Sequence, residues 1–121
     1  NLLYMMDKFR EFNPYLYTIQ EGAGERIGPH AFAIILTEKA GFSRNKLVAY
    51  LEKNGVDSRN LFLSMPTQCA GFKFLGHKIG EFPNAEYIGD NGLHVGIHQD
   101  IDKDDLHYML NIIRDFLAEN R

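Results

Sequence analysis

The stretch that decides the fold is HAFAIILTEKAGFSRNKLVAYLEKNGVDSRNLF, residues His30 to Phe62, because it encodes a strand, a helix and a second strand. The run AFAIIL is short and nearly continuously apolar, which predicts a buried strand. Ser43 is placed to cap the following helix, with Phe42 and Leu47 at the two positions of a hydrophobic staple. Gly55 can adopt the left-handed conformation that ends a helix, so VDSRNLF is expected to return as an extended segment.

The flanking segments predict helices and strands that extend this unit. Apolar residues recur at helical spacing in NLLYMMDKFREF and again in the last twenty residues, so both segments predict amphipathic helices. Helices are predicted from the N-terminus to about Phe12, from Pro83 over NAEYIGD, and from Lys103 to about Glu119 behind an Asp102 cap; strands are predicted over LYTI and from Leu93 to Ile97. The resulting order is helix, strands, helix, strand, short helix, strand, helix.

This order predicts an α/β fold, a two-layer sandwich with helices on one face of a small mixed sheet. The segment between the two central strands is long enough for a right-handed crossover between parallel strands. No internal repeat or linker divides the 121 residues, so residues 1–121 are expected to form a single domain.

Composition excludes several classes of function. A net charge of −3 without a basic cluster argues against nucleic-acid binding, which needs clustered Lys and Arg. Cys69 is the single cysteine, which excludes an internal disulfide and favours a reducing, cytoplasmic compartment. No run has the length of a membrane helix, so no membrane partner is expected. The chain begins NLLYMM, which indicates a processed or shortened sequence.

Few patterns in this sequence predict chemistry. EGAGERIGP leads into a strand, so its glycines do not predict a phosphate-binding loop, which needs a following helix. His94 and His98 share one face of a strand, but no third ligand follows at a metal-binding spacing, so metal binding stays a minor alternative. The polar residues that stand out are at the ends of the predicted central strands, where open α/β sheets usually present ligand-binding groups: His30, Arg59, Asn60 and Ser64.

The segments RNKLVAYLEKNGVDSR with a following LF, then GEFPNAEYI and a closing HQDI helix, resemble the DegT/StrS-type nucleotide-sugar aminotransferases. The resemblance covers the C-terminal small domain of that family, from about Pro14 to Ala118. SRNLF is most similar to the TRLLF of the sugar 3-dehydrase branch. Two departures from the family pattern are Leu61-Phe62-Leu63 in place of HYP and Ser64-Met65 in place of Gly-Asn.

The resemblance implies a pyridoxal-phosphate (PLP) enzyme of fold type I that transaminates or dehydrates a nucleotide-linked keto-deoxy sugar for lipopolysaccharide or surface-glycan synthesis. In the family, the cofactor-binding lysine or histidine, the acidic partner and the phosphate-binding residues belong to the large N-terminal domain. The chain is therefore expected to be a C-terminal fragment that binds no cofactor and is inactive alone. The parent enzyme is expected to bind PLP and its nucleotide sugar through the large domain, as a homodimer.

For the intact enzyme, the resemblance implies three substrate-binding residues. His30 and Arg59 would donate hydrogen bonds to sugar or phosphate oxygens, and Phe62 would pack nearby. A structural alternative stands beside each donor, because Arg59 could form a surface ion pair and His30 could cap a strand edge. A second functional hypothesis is a free-standing βαβ module with a small-ligand-binding or regulatory role.

Overall fold

The computed structural model describes residues 1–62 and 65–120, so the predictions that involve Leu63 and Ser64 fall outside the described residues. In these described ranges, four α-helices and four strands follow one another in the predicted order. They are α1 (Leu2–Phe9), β1 (Leu16–Tyr17), β2 (Phe32–Leu36), α2 (Arg44–Lys53), β3 (Ser58–Asn60), α3 (Pro83–Asn91), β4 (Gly92–Val95) and α4 (Lys103–Asn120). Short 3₁₀ helices extend α1 over Arg10–Phe12 and cover Pro66–Gln68 and Ala70–Leu75 after β3.

The predicted ends of the two main helices are confirmed. The Ser43 hydroxyl accepts a hydrogen bond from the Lys46 amide at 3.3 Å, which caps α2, and Gly55 follows the helix with a φ of 77°. At the start of α4, the Asp102 carboxylate accepts from the Asp105 amide at 2.9 Å. Local sequence therefore fixes where these helices begin and end, since caps satisfy amides that have no partner within the helix.

The α/β fold class is confirmed, but the sheet differs from the predicted mixed one. Its strand order is β1-β2-β4-β3, and each of the three described pairings is antiparallel. β2 and β3 run in the same direction, as a strand-helix-strand unit requires, yet they are not neighbours. β4 lies between them and pairs antiparallel with both, so the crossover through α2 skips one strand.

The core lies between one face of the sheet and helices α1, α2 and α4. Phe32, Ile34 and Leu93 on that face are fully buried, as are Met5 on α1 and Leu47 on α2. Side chains alternate between the faces of a strand, so this arrangement leaves the residues between them on the opposite face. Among the described residues, no helix combines the length and apolarity needed to cross a bilayer.

Candidate functional site

The candidate site lies on the face of the sheet turned away from the helical core, here called the open face. His94, in the middle of β4, is directly opposite Ala33 on β2 and Arg59 on β3. Directly opposed residues in antiparallel strands project to the same face. Ala33 alternates with the buried Phe32 and Ile34, so His94 and Arg59 share the face opposite to the core.

His30 lies near His94. Its ring centroid lies 6.1 Å from that of His94, with the two planes inclined by 48°. His30 and Arg59 are exposed, and His94 is half-buried between its neighbouring strands. The two imidazoles thus lie near each other, and the strand register places Arg59 beside His94; we call these three residues the His30–His94–Arg59 patch.

Phe62, the third predicted substrate-binding residue, lies elsewhere. It follows β3 beyond Asn60, which pairs with Leu93, whereas His30 precedes β2 on the side where Phe32 pairs with Val95. The Phe62 ring packs against Gly89 of α3 and borders a small cavity of about 170 Å³. Phe62 and His30 are therefore placed towards opposite ends of the sheet.

The other selected polar positions do not join the patch. Asn60 is opposite Leu93, a core residue, so it projects to the other face from Arg59. His98 lies beyond β4, where its ring nitrogen Nδ1 accepts a hydrogen bond from the Asp100 amide at 3.3 Å. Within the described ranges, no three His, Cys, Asp or Glu side chains form a group that could hold a metal ion.

The patch has the donors needed to bind an anionic or hydroxyl-rich ligand. Arginine presents a planar fork of N–H donors that matches phosphate and carboxylate oxygens, and each neutral imidazole offers one donor and one acceptor. None of the ion pairs found in the described part of the chain includes Arg59. Its guanidinium is thus not occupied by a surface carboxylate there, which was the structural alternative for this residue.

His94 is the member of the patch that the sequence did not predict as a candidate site residue. Its spacing to His98 had suggested only a weak metal alternative. The signal that selects it is the pairing of β4 with both β2 and β3, because that pairing places Arg59 opposite it. Alternation along a strand predicts a face, but it does not predict which strand is the neighbour.

Comparison with protein families gives one match over most of the chain. The model of the family described as "DegT/DnrJ/EryC1/StrS aminotransferase family" matches residues 2–114. The match includes every element of the sheet, the His30–His94–Arg59 patch and most of α4.

Two curated relatives are sugar 3-dehydratases by name. GDP-4-keto-6-deoxy-D-mannose 3-dehydratase of Escherichia coli O55:H7 is 31% identical over 118 residues, which are 94% of this chain and 29% of the relative. dTDP-4-dehydro-2,6-dideoxy-D-glucose 3-dehydratase of Saccharopolyspora spinosa is 29% identical over 90 residues, covering 74% of this chain and 20% of the relative. The chain thus spans less than a third of the length of either enzyme.

A solved structure agrees with the sequence comparison. The E. coli GDP-4-keto-6-deoxy-D-mannose-3-dehydratase with bound hydrated PLP superposes with a TM-score of 0.76 at 28% identity. The superposition covers 91% of this chain and 28% of that structure. The sheet and helices described above are therefore similar to one part of a PLP-containing enzyme.

The described lysines and the patch were compared with the groups that a PLP site needs. A lysine that forms a Schiff base is normally activated by removal from water or by a neighbouring cation. All seven lysines lie exposed: Lys8, Lys39, Lys46, Lys53, Lys73, Lys78 and Lys103. The His30–His94–Arg59 patch consists of two imidazoles and a guanidinium, so none of its three side chains is a carboxylate that could pair with a pyridine nitrogen.

Proposed function

This chain belongs to the DegT/DnrJ/EryC1/StrS aminotransferase family, and from that premise we propose that it is the C-terminal small domain of a PLP-dependent enzyme. The enzyme would transaminate or dehydrate a nucleotide-linked keto-deoxy sugar for lipopolysaccharide or other surface-glycan synthesis. The observation that carries this proposal is the 31% identity to a GDP-sugar 3-dehydratase over 94% of the chain.

In that enzyme, the open face of the sheet would form one wall of the substrate cleft. Arg59 would donate to phosphate or sugar oxygens of the nucleotide sugar, since a guanidinium fork suits such acceptors. His30 would donate a second hydrogen bond, and His94 would hold the two groups at a fixed separation. Phe62 would contact the substrate only at the far end of the sheet, against α3.

The cofactor and the rest of the active site would be supplied by the part of the enzyme that this chain does not span. In PLP enzymes the protein positions the cofactor and tunes its electronics, while the cofactor supplies the reactive chemistry. The role of this domain would therefore be to bind and orient the sugar and to exclude water. We further propose a homodimeric parent enzyme in the cytoplasm, with this domain inactive by itself.

Determining the genomic sequence on both sides of the codons for Asn1 and Arg121 tests the proposal directly. We expect one continuous reading frame with a large domain upstream of Asn1 that contains a cofactor-binding lysine or histidine. A stop codon in frame just upstream, with no such domain encoded, would contradict the assignment.

Kinetic measurements on the complete protein then test the assigned residues. Arg59→Met should raise KM for the nucleotide sugar by roughly tenfold to a hundredfold, the equivalent of losing one charge-assisted hydrogen bond. Arg26→Met, an exposed arginine in the connector before β2, is the matched control and should leave KM unchanged. An unchanged KM in the Arg59 variant would remove this residue from the substrate site.

A free-standing small-ligand-binding or regulatory module is the second candidate, and one observation favours it. α1 packs on the core with Met5 and Phe9, so the core is covered by an element of this chain. Thermal-shift measurements on the isolated chain with nucleotide sugars and amino acids distinguish the candidates. Tight, specific stabilisation of the isolated chain would favour the module, because the proposed small domain needs the rest of the enzyme to bind substrate.

A further inference from the structure

Asparagine followed by glycine occurs twice in the chain, at Asn54-Gly55 and at Asn91-Gly92. In this dipeptide the backbone nitrogen of glycine can attack the carbonyl carbon of the asparagine side chain, because glycine has no Cβ atom to hinder the approach. The new bond between nitrogen and carbon closes a succinimide ring, the bond to the side-chain nitrogen breaks, and ammonia leaves with the amide proton of glycine. Water then opens the ring to aspartate or isoaspartate, so the net reaction consumes one water and releases one ammonia.

The Asn54-Gly55 step lies at the exposed end of α2. The backbone of Asn54 has φ −98° and ψ 17°, which turns the Gly55 nitrogen away from the side-chain amide. The Gly55 amide donates to the Glu52 carbonyl oxygen at 3.0 Å. Asn54 Nδ2 donates to the Tyr50 carbonyl oxygen at 2.8 Å. Attack therefore requires the last turn of α2 to open, and such local opening costs far less free energy than unfolding of the domain.

The Asn91-Gly92 step lies inside the sheet. Asn91 is the last residue of α3, and Gly92 begins β4, where it is buried and opposite Ile35 of β2. The Leu61 side chain packs on the backbone of Gly92. Because β4 is paired with a strand on each side, the Gly92 nitrogen can rotate towards the Asn91 side chain only when the centre of the sheet unfolds.

We propose that Asn54 is a site of spontaneous isoaspartate formation in the folded protein, and that the fold protects Asn91. The two sites carry the same reactive dipeptide, so a difference between their rates must come from the fold. The difference lies in the opening that each site requires. Asn54 needs one turn at a helix end to open, whereas Asn91 needs an interior strand of the sheet to separate from its neighbours.

Modification of Asn54 changes the turn that leads into β3. Aspartate at this position places a carboxylate oxygen where Nδ2 now donates to the Tyr50 carbonyl oxygen, at the C-terminal end of α2, where the helix dipole disfavours negative charge. Isoaspartate adds one methylene to the backbone before Gly55 and so disrupts the hydrogen bond that the Gly55 amide donates. β3 begins three residues after Gly55, so we expect isoaspartate to loosen β3 and with it Arg59 of the patch.

Peptide mapping during storage of the full chain tests the proposal. The chain is incubated at mildly alkaline pH in buffer and in concentrated urea, and mass spectrometry measures asparagine, aspartate and isoaspartate at both sites over time. In urea, where no fold protects either site, the two sites should react at equal rates. In buffer, we expect Asn54 to react at least about tenfold faster than Asn91. Slow hydrogen–deuterium exchange of α4 in buffer reports that the domain is folded.

A hydrogen bond from α4 allows the role of local opening to be tested separately. The Tyr108 hydroxyl donates to the Asn54 carbonyl oxygen at 2.9 Å and so ties the end of α2 to α4. Tyr108→Phe should speed modification of Asn54 by roughly threefold to tenfold, the factor that corresponds to one hydrogen bond, and leave Asn91 unchanged. Tyr17→Phe is the matched control, because Tyr17 is an exposed tyrosine on β1, at the edge of the sheet opposite to β3, and it should change neither rate.

Four results would overturn the proposal. The first is equal modification of Asn54 and Asn91 in buffer. The second is unmodified Asn54 in buffer at the time when both sites have reacted in urea. The third is an unchanged rate at Asn54 in the Tyr108→Phe variant. The fourth concerns the isoaspartate form after its separation from the unmodified chain: exchange of residues 56–60 should be about tenfold faster in it, and unchanged exchange would contradict the loosening of β3.

Discussion

The ring of Phe62 rests directly on the backbone of α3 at Gly89, because a Cβ atom at Gly89 would lie 2.8 Å from Phe62 Cε2. The side chain of Leu61, which precedes Phe62, packs in the same way on the backbone at Gly92. A Cβ atom at Gly92 would lie 2.4 Å from Leu61 Cδ1 and 2.5 Å from the Ile88 carbonyl oxygen. Gly89 and Gly92 thus leave room for two consecutive side chains after β3.

Substituting these glycines should destabilise the fold in a defined order. Gly89→Ala adds a methyl group against a movable ring, and the gain in helix propensity of about 1 kcal/mol offsets part of the crowding cost of about 1–3 kcal/mol. Gly92→Ala meets a backbone oxygen as well, so it should lower the free energy of unfolding more. Urea denaturation measures both effects.

The control for this series is Gly71→Ala, because nothing lies within 4 Å of a Cβ atom built at that position. Its stability should match that of the wild type within about 0.5 kcal/mol. Equal losses at Gly71 and Gly89 would show that crowding against Phe62 is not the cause.

Arg44 joins the start of α2 to the end of α3. Its Nη1 donates to the Gly89 carbonyl oxygen at 2.7 Å. A cation in the first turn of α2 is unfavourable to that helix, whereas a cation at the C-terminal end of α3 is favourable. We expect Arg44→Met to lower the free energy of unfolding by about 1 kcal/mol, the net value of one hydrogen bond.

Lys46→Met is the matched control for the Arg44 variant, since Lys46 is an exposed cation in the same helical turn. The Lys46→Met substitution removes a cation from the N-terminal turn of α2, where the helix dipole makes a cation unfavourable, and it removes no contact to α3. The free energy of unfolding of this variant should therefore be unchanged or slightly raised. A loss of stability as large as that of Arg44→Met would contradict the role assigned to the Gly89 contact.

Because of Tyr87, the free energy of unfolding should depend on pH in the alkaline range. Its hydroxyl donates to the Leu36 carbonyl oxygen at 2.8 Å, and burial, followed by the nearby charge of Glu38, raises the pKa of Tyr87 above its ordinary value of 10.0. The folded state therefore holds this proton more tightly than the unfolded state does. The resulting stabilisation is complete below pH 10.0 and is lost as pH rises through the folded pKa.

Tyr87→Phe removes both effects. At neutral pH it should cost about 1 kcal/mol through the lost hydrogen bond, and above about pH 10 the difference between variant and wild type should shrink. Tyr50 remains in both proteins, with a pKa raised by burial and then by Glu119, so it does not contribute to the difference. Thermal denaturation between pH 7 and 11 makes the comparison, and a constant difference over that range would exclude the proposed linkage.

Asp102 and Asp105 cap the last helix reciprocally. Asp102 accepts from the Asp105 amide at 2.9 Å, and the Asp105 carboxylate accepts from the Asp102 amide at 3.3 Å. Asp102→Ala should cost about 1 kcal/mol, measured by urea denaturation, as is usual for the loss of a capping side chain. Asp104→Ala removes a charge from the same turn without removing a capping hydrogen bond, and it should cost clearly less.

Local sequence determined the helices and their ends. Ser43 and Asp102 supply side-chain oxygens at the start of α2 and α4, Gly55 ends α2, and the apolar stripe of α4 predicts its buried face. Each of these features depends on residues a few positions apart along the chain. Such short-range relationships can be derived from the sequence without knowledge of the fold.

The predicted candidate site depended on more than local pattern. His30 and Arg59 were selected from their places near strand ends, and the structure brings both beside His94. Phe62 was selected with them because the family resemblance implied that it packs near both donors. Its position against Gly89 follows from the path of the chain after β3, which local pattern does not encode.

The sequence by itself determined the order of helices and strands, the apolar stripes of the amphipathic helices and the family. Only the tertiary structure decided which strands are neighbours. The apolar pattern of a strand predicts which side chains are buried, but it does not predict which strand lies next to it. Insertion of β4 between β2 and β3 turned the expected mixed sheet into an antiparallel one. The same insertion placed His94 beside Arg59 and so formed the patch.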